Sequence, residues 1–201
     1  MVLGMNKNEL RKNGFSIVMT GFIALEGTAK LAERFADKID KLYPSYLSRN
    51  AKEFGGGAFK SDHEKALAAL EEHLKNTGTI FGESAFVREV SEGGFLTALH
   101  EIASESGLGF EIDLRKVPIL QETVEICNLL EVNPYRLYSG KCLIIMAPEG
   151  GMLADRMTGK GINAVIVGTT TDKKACILHN DGTESYLNRP EPDELTRLGL
   201  R

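Results

Sequence analysis

The sequence predicts an α/β (α+β) protein, a sheet with helices packed on at least one face. Three observations carry this expectation. From residue 85 onward, segments of strand character alternate with segments of helical periodicity, the pattern of layered α/β architectures. Lys141–Pro148 contains the most continuously apolar run of the chain, as expected of a central strand buried on both faces. Longer stretches place apolar residues three and four apart, the period of a helix with one buried stripe.

In chain order, Asn6–Asn13 is a polar lead-in. Phe15–Met19 is a short apolar run rich in β-branched residues and ended by Thr20-Gly21, and reads as a strand. Ile23–Tyr43 repeats Leu25, Ala29, Ala32, Phe35 and Ile39 at helical spacing, so one helix is expected, stopped by Pro44. Ser45–Phe54 reads as a shorter helix broken by Gly55-Gly56-Gly57. Three adjacent glycines mark a hinge. The following Ala58-Phe59-Lys60-Ser61 does not complete the spacing of a phosphate loop.

Asp62–Asn76 is an amphipathic helix, with Leu67, Leu70 and Leu74 on one face, Glu71, Glu72 and Lys75 on another, and Ser61 or Asp62 as its cap. His63 and His73 are expected at its surface. Ala85–Val87 starts a strand, and Gly94–Ser106 a helix closed by Gly107. Phe110–Leu114 alternates apolar and acidic residues, a half-buried strand. Gln121–Leu130 is helical, Asn133-Pro134 turns the chain, and Lys141–Pro148 follows Ser139-Gly140. Gly151–Lys160 is a further helix, and Asn163–Val167 a strand ending at Gly168. Lys174–His179 and Ser185–Leu187 flank Asn180-Asp181-Gly182, a hairpin signal. Pro190–Leu198 is a polar tail with a short last helix.

Composition narrows the function. The 201 residues are 42% hydrophobic and 26% charged, ordinary for a globular chain large enough to bury a core without staples. A net charge of -4 and the lack of a basic, aromatic-interleaved cluster exclude a nucleic-acid footprint. No apolar stretch approaches the about 20 residues of a membrane span, and the first residues do not form a signal peptide, so a cytoplasmic protein is expected. Cys127, Cys142 and Cys176 sit in apolar surroundings without metal-ligand spacing to any histidine, so no metal site is expected.

The stretch that organises the chain is Val87–Ala103. Here Glu92-Gly93-Gly94 stands between a strand and a helix carrying Phe95, Leu96, Leu99 and Ile102. Paired glycines admit a close approach of backbone or of an anion, and the N–H groups of a first helical turn attract phosphate. Two readings stay open: a tight start capped by Ser91 or Glu92, or a phosphate-facing turn.

Further residues join this turn in a pattern: Ser16–Thr20 followed by Leu25-Glu26-Gly27-Thr28-Ala29, Gly109–Asp113, Pro118-Ile119, Glu122-Thr123, Asn133-Pro134-Tyr135, Ser139-Gly140 and Ala164–Gly168. In that order and spacing the chain resembles the C-terminal domain of the AIR synthase (aminoimidazole ribonucleotide synthase) superfamily, closest to its AIR synthase-related and hydrogenase-maturation branches. The resemblance implies a mixed sheet covered by helices. It also implies one domain over 1–201, with a lead-in at 1–14 and a helical insertion at 45–82. It further implies ATP-dependent phosphorylation of a carbonyl- or amide-type oxygen, the C-terminal domain covering the phosphates and walling the substrate site. Carried over by motif, Gly93 and Gly94 match the turn glycines and Ser91 its hydroxyl. Ser139 and Gly140 match a second loop, and Gly27 and Thr28 a third.

The chain also departs from that pattern. Glu89 stands where the family turn carries aspartate, a shift of one methylene that matters in a magnesium site of near-octahedral geometry. Its alternative role is a carboxylate at a helix start. About a dozen residues precede the first strand, so ATP and magnesium are expected only with a partner domain. The chain closes on Leu198-Gly199-Leu200-Arg201 without a cysteine, so it is not expected to carry the carbamoyl-accepting thiol. The expected function is thus the substrate-side half of an ATP-dependent enzyme, as a homo-oligomer or with a separate ATP-binding protein. The alternative is a non-catalytic binding or scaffold module that kept the fold. No catalytic residue is assigned.

Overall fold

The computed structural model describes residues 14–56, 62–78 and 85–200. Its seven strands are β1 (Ser16–Thr20), β2 (Phe86–Glu89), β3 (Gly109–Asp113), β4 (Leu143–Ala147), β5 (Ala164–Thr171), β6 (Cys176–Asn180) and β7 (Thr183–Tyr186). They form one mixed sheet in the order β2-β4-β1-β5-β3-β6-β7. Every neighbouring pair is antiparallel except β3 and β6. Eight α-helices occur among the described residues: α1 (Leu25–Arg34), α2 (Ala36–Asp40), α3 (Ser45–Lys52), α4 (His63–Thr77), α5 (Gly94–Ser106), α6 (Gln121–Leu130), α7 (Gly150–Gly159) and α8 (Glu194–Arg197). This is the expected α/β class with a mixed sheet covered by helices.

Alternation along the strands sends side chains to two cores. Ile17 and Met19 join Leu31 of α1, Phe95 and Leu99 of α5 and Ile126 of α6 on one face. Val18 and Ile145 join Leu70 of α4 and Leu153 and Met157 of α7 on the other. Strand β4 is buried along its whole length because helices cover both its faces. It is interior but not central, lying one strand from the β2 edge. Each large apolar side chain withdrawn in this way stabilises the fold by about 1.5–3 kcal/mol.

Several expectations need correction. The helix expected over Ile23–Tyr43 divides at Phe35, whose φ of -116° and ψ of 23° leave the helical region. The break turns Ile39 of α2 fully inward. Of the three glycines, Gly55 closes a 3-10 turn at Glu53–Gly55, and Gly57 lies outside the described residues, as does Ser61. Asp62 stands at the α4 start, but its side chain makes no cap; its carboxylate pairs with Lys65 at 3.0 Å.

His73 is not a surface residue. The buried stripe of α4 runs Ala66, Ala69, Leu70, His73 and Leu74, and the His73 ring reaches the Pro148 carbonyl at 2.9 Å through Nε2. Leu67 falls at the margin of the stripe and is 39% exposed. Strand β5 runs through Gly168 to Thr171, with a register shift opposite Ile17 and Val18. A Cβ at 168 would stand 2.1 Å from the Glu111 carbonyl, so glycine there permits close strand approach and does not end the strand. The hairpin expectation holds: Asp181 and Gly182, both at positive φ, join β6 to β7. The tail is docked, with Leu195 fully buried and Asp193 only 2% exposed.

Candidate functional site

The register pairs Thr20 of β1 and Glu89 of β2 with Leu143 of β4. The end of β1, the end of β2 and the start of β4 therefore share one end of the sheet. Three loops leave it: 21–24 into α1, 90–93 into α5, and 137–142 into β4. The third loop binds the other two together.

Helix α1 starts from Ala24 at φ 62° with no cap from its own neighbourhood. Loop 137–142 supplies the acceptors instead. The Ala24 N–H donates to Ser139 Oγ at 2.7 Å, Glu26 N–H to the Ser139 carbonyl at 3.2 Å, and Gly27 N–H to the Tyr138 carbonyl at 2.9 Å. The orphan donors of a helix start are thus satisfied across 115 residues of sequence. Glycine at 27 is what lets the loop approach, since a Cβ there would lie 2.5 Å from Leu137 and 2.7 Å from the Tyr138 carbonyl. Thr28 is buried, its hydroxyl 3.0 Å from that of Thr123 on α6.

The same loop grips the chain before α5. Val90 N–H donates to the Cys142 carbonyl at 3.0 Å, Gly140 N–H to the Val90 carbonyl at 2.9 Å and Ser139 N–H to the Ser91 carbonyl at 3.3 Å. Gly140, at φ 61°, lies beneath the Glu26 carboxyl group, which would meet a Cβ there at 2.8 Å. Ser91, Ser139, Gly140, Gly27 and Glu26 are therefore brought into one cluster. Beneath it, burial pushes the Cys142 thiol up; burial likewise pushes Cys127 on α6 to about 12. Both behave as inert core residues.

The paired glycines are required by their backbone. Gly93 has φ 74° and Gly94 φ 66°. A Cβ on Gly93 would meet Thr97 Oγ1 at 2.3 Å, and one on Gly94 the Tyr135 carbonyl at 2.7 Å and the Leu137 carbonyl at 2.8 Å. The N-cap position of α5 is Gly93 itself, which has no side chain with which to cap the helix. The Gly93 N–H donates to Asp193 Oδ2 at 2.8 Å, while Asp193 Oδ1 accepts from the Leu195 N–H at 2.9 Å. One buried carboxylate thus joins two helix starts, where the helix dipole favours negative charge. The donor expected to face a phosphate is held by the protein's own carboxylate.

Glu89 ends β2 with its side chain 56% exposed, 3.9 Å from Nδ1 of His63 at the start of α4. Its carboxylate thus faces the start of α4. Arg88 beside it ties β2 to α5 through Glu105 and, at 3.5 Å, Glu101. Three further residues at this end were not foreseen. Lys141 sits at φ 60° and its ammonium donates to the Phe54 and Gly56 carbonyls at 2.9 Å each. It also lines a cavity of about 140 Å³ with Gly21, Leu25 and Asp62. Glu26 and Asp193 are the others. Asp193-Glu194-Leu195 carries a helix-start signal of its own, but the second acceptor role of Asp193 toward Gly93 leaves no local trace. Among the described residues, no group of three histidine, cysteine or acidic side chains is gathered to hold a metal.

Comparison with known proteins gives a consistent result. Residues 12–179 match the family model described as AIR synthase related protein, C-terminal domain. The carbamoyl dehydratase HypE of Rhodobacter capsulatus is 29% identical over 125 residues, which span 60% of this chain and 37% of that protein. A putative hydrogenase expression/formation protein of Methanocaldococcus jannaschii is 28% identical over 119 residues, 56% of this chain and 35% of that one. Among solved structures, hydrogenase maturation protein HypE in complex with ATP superimposes with a TM-score of 0.62 at 18% identity. The match covers 90% of this chain and 52% of that one. The chain spans about a third of the length of these curated relatives.

Proposed function

Because this chain belongs to the family of AIR synthase related C-terminal domains, we propose that it is the substrate-side half of an ATP-dependent enzyme of the hydrogenase-maturation type. In this reading the enzyme phosphorylates a carbonyl- or amide-type oxygen, and the chain works against a nucleotide-binding half. The observation that carries the proposal is the convergence of loops 24–28, 89–94 and 137–141 on one end of the sheet. Such preorganised loops are what phosphoryl transfer asks of a protein, since its catalysis is mainly positioning and charge stabilisation.

The roles follow from what the residues have free. The N–H groups of Gly93, Glu26 and Gly27 already have acceptors, so these glycines shape the rim and hold it rigid. Ser91 is exposed and Glu26 half-buried at that rim, and they face the partner half and substrate. ATP, when bound, supplies the phosphoryl group. The fit of its magnesium is poor here: among the described residues the rim carboxylates Glu26, Glu89 and Glu92 are not gathered into a group that could hold a metal, whereas magnesium asks for an octahedral set of oxygens. No step is therefore assigned to magnesium on this chain. In this reading the protein acts as a single domain, with α3 and α4 belonging to its helical insertion.

Titration with magnesium-ATP tests the proposal, first alone and then with a nucleotide-binding half from a relative. The chain alone is expected to release no phosphate. The mixture is expected to associate and turn over ATP, with Ser91→Ala and Glu26→Gln each lowering the rate about tenfold. Failure to associate, or turnover indifferent to both substitutions, would sink the proposal. The filled donor at Gly93 and glutamate at 89 favour a second reading, a binding module without catalysis. Association without turnover would select it.

A further inference from the structure

A second region, sharing no lining residue with the loop cluster, has the character of a binding site. A cleft of about 390 Å³ lies between the start of α5, the Pro134–Arg136 turn, the β6–β7 hairpin and the segment 187–191. Its lining includes Arg136, Arg189, Asn133, Asn180 and Asn188, against the single carboxylate Glu191. A cleft rich in donors and positive in balance is unusual in a chain of net charge -4.

The cleft already displays the chemistry it accepts. Glu191 places its carboxylate on the Arg136 guanidinium, an arrangement suited to planar oxyanions. The Glu191 side chain is 47% exposed, and exposed ion pairs of this kind are weak enough to exchange. Arg189 is exposed and has no hydrogen-bond or ion-pair partner among the described residues. Two residues beyond Glu191, Asp193 anchors the segment on Gly93, so Glu191 can leave Arg136 while the anchor stays seated. The Pro190 and Pro192 that flank Glu191 limit how far it can follow.

We propose that this cleft binds a small organic anion through Arg136 and Arg189, with Glu191 as a built-in competitor that the ligand displaces. The head group is a carboxylate or a phosphate, and the three asparagine side chains face the neutral remainder of the ligand.

Calorimetric titration of the full chain with citrate and with inorganic phosphate, at ionic strength fixed by chloride, tests this and shows which head group is preferred. Saturable binding of at least one probe is expected. Arg136→Gln and Arg189→Gln should each weaken it about tenfold, and Glu191→Gln should tighten it about threefold or more. Arg189→Gln is the safer of the first two for folding, because its side chain is exposed and unpaired. Absence of binding in both wild type and Glu191→Gln overturns the site. Binding unchanged by either arginine substitution overturns it as well, and binding weakened or unchanged in Glu191→Gln overturns the competitor. None of these results bears on ATP turnover with a nucleotide-binding half, so this inference and the proposed function fail separately.

Discussion

Helices α1 and α5 begin alike and are completed differently. Each starts from a residue in the left-handed region, Ala24 and Gly93, and neither of these residues caps its helix with a side chain. At α1 the acceptors are neutral: one serine hydroxyl and two carbonyls of loop 137–139. At α5 the acceptor is a carboxylate, Asp193, shared with α8. One start is tied to the loop that enters a buried strand, the other to the C-terminal segment. A helix start is therefore no anion site merely because glycines precede it. What matters is whether the fold has already filled the donors.

The largest effect that bears on this comparison is expected from the glycines. Gly94→Ala would meet both a left-handed φ and two backbone carbonyls under 3 Å, a loss of about 3–4 kcal/mol. Gly27→Ala, at ordinary φ but tight against Leu137 and Tyr138, should lose about 2–3 kcal/mol. Urea unfolding measures both, and a loss below 1 kcal/mol at either position would mean the loops are not packed as described. Next come the caps. Asp193→Ala strands two N–H donors and removes a charge, and is expected to cost about 3 kcal/mol, with Ser139→Ala costing about 1–2 kcal/mol. Asp193→Asn should recover part of the loss. Equal costs for the two alanine variants would erase the distinction between the two helix starts.

The smallest effect lies away from both starts. Glu72 of α4 is held below the usual carboxylate range by its hydrogen bond to Lys160, with Arg156 adding to it. A folded-state value below the unfolded one stabilises above the unfolded pKa and is lost as pH falls through the folded value. Wild type should therefore exceed Glu72→Gln in stability at neutral pH, and the two curves should converge in acid below pH of about 4. Melting temperatures across pH decide it, and parallel curves would refute the α4–α7 tie.

Strand and helix positions were legible because they rest on local periodicity. Ile17, Val18 and Met19 declare a strand as a short apolar, β-branched run, and Asp181-Gly182 declares a turn by backbone chemistry alone. His73 was misplaced because its ring reads as polar locally, while the carbonyl that receives it comes from Pro148, 75 residues away. Phe35 was read as continuing a helix because the apolar spacing runs through it, and the break appears only where Ile39 must turn inward.

The sequence by itself determined the fold class, the family pattern and which loops carry the paired glycines, since these depend on spacing and on φ preferences. Tertiary structure alone decided that loop 137–142 caps α1, that Asp193 occupies the Gly93 N–H, and that Glu26 lies over Gly140. The physical reason is that a hydrogen-bond donor's partner is chosen by proximity in space. For a helix start, that partner can lie a hundred residues away.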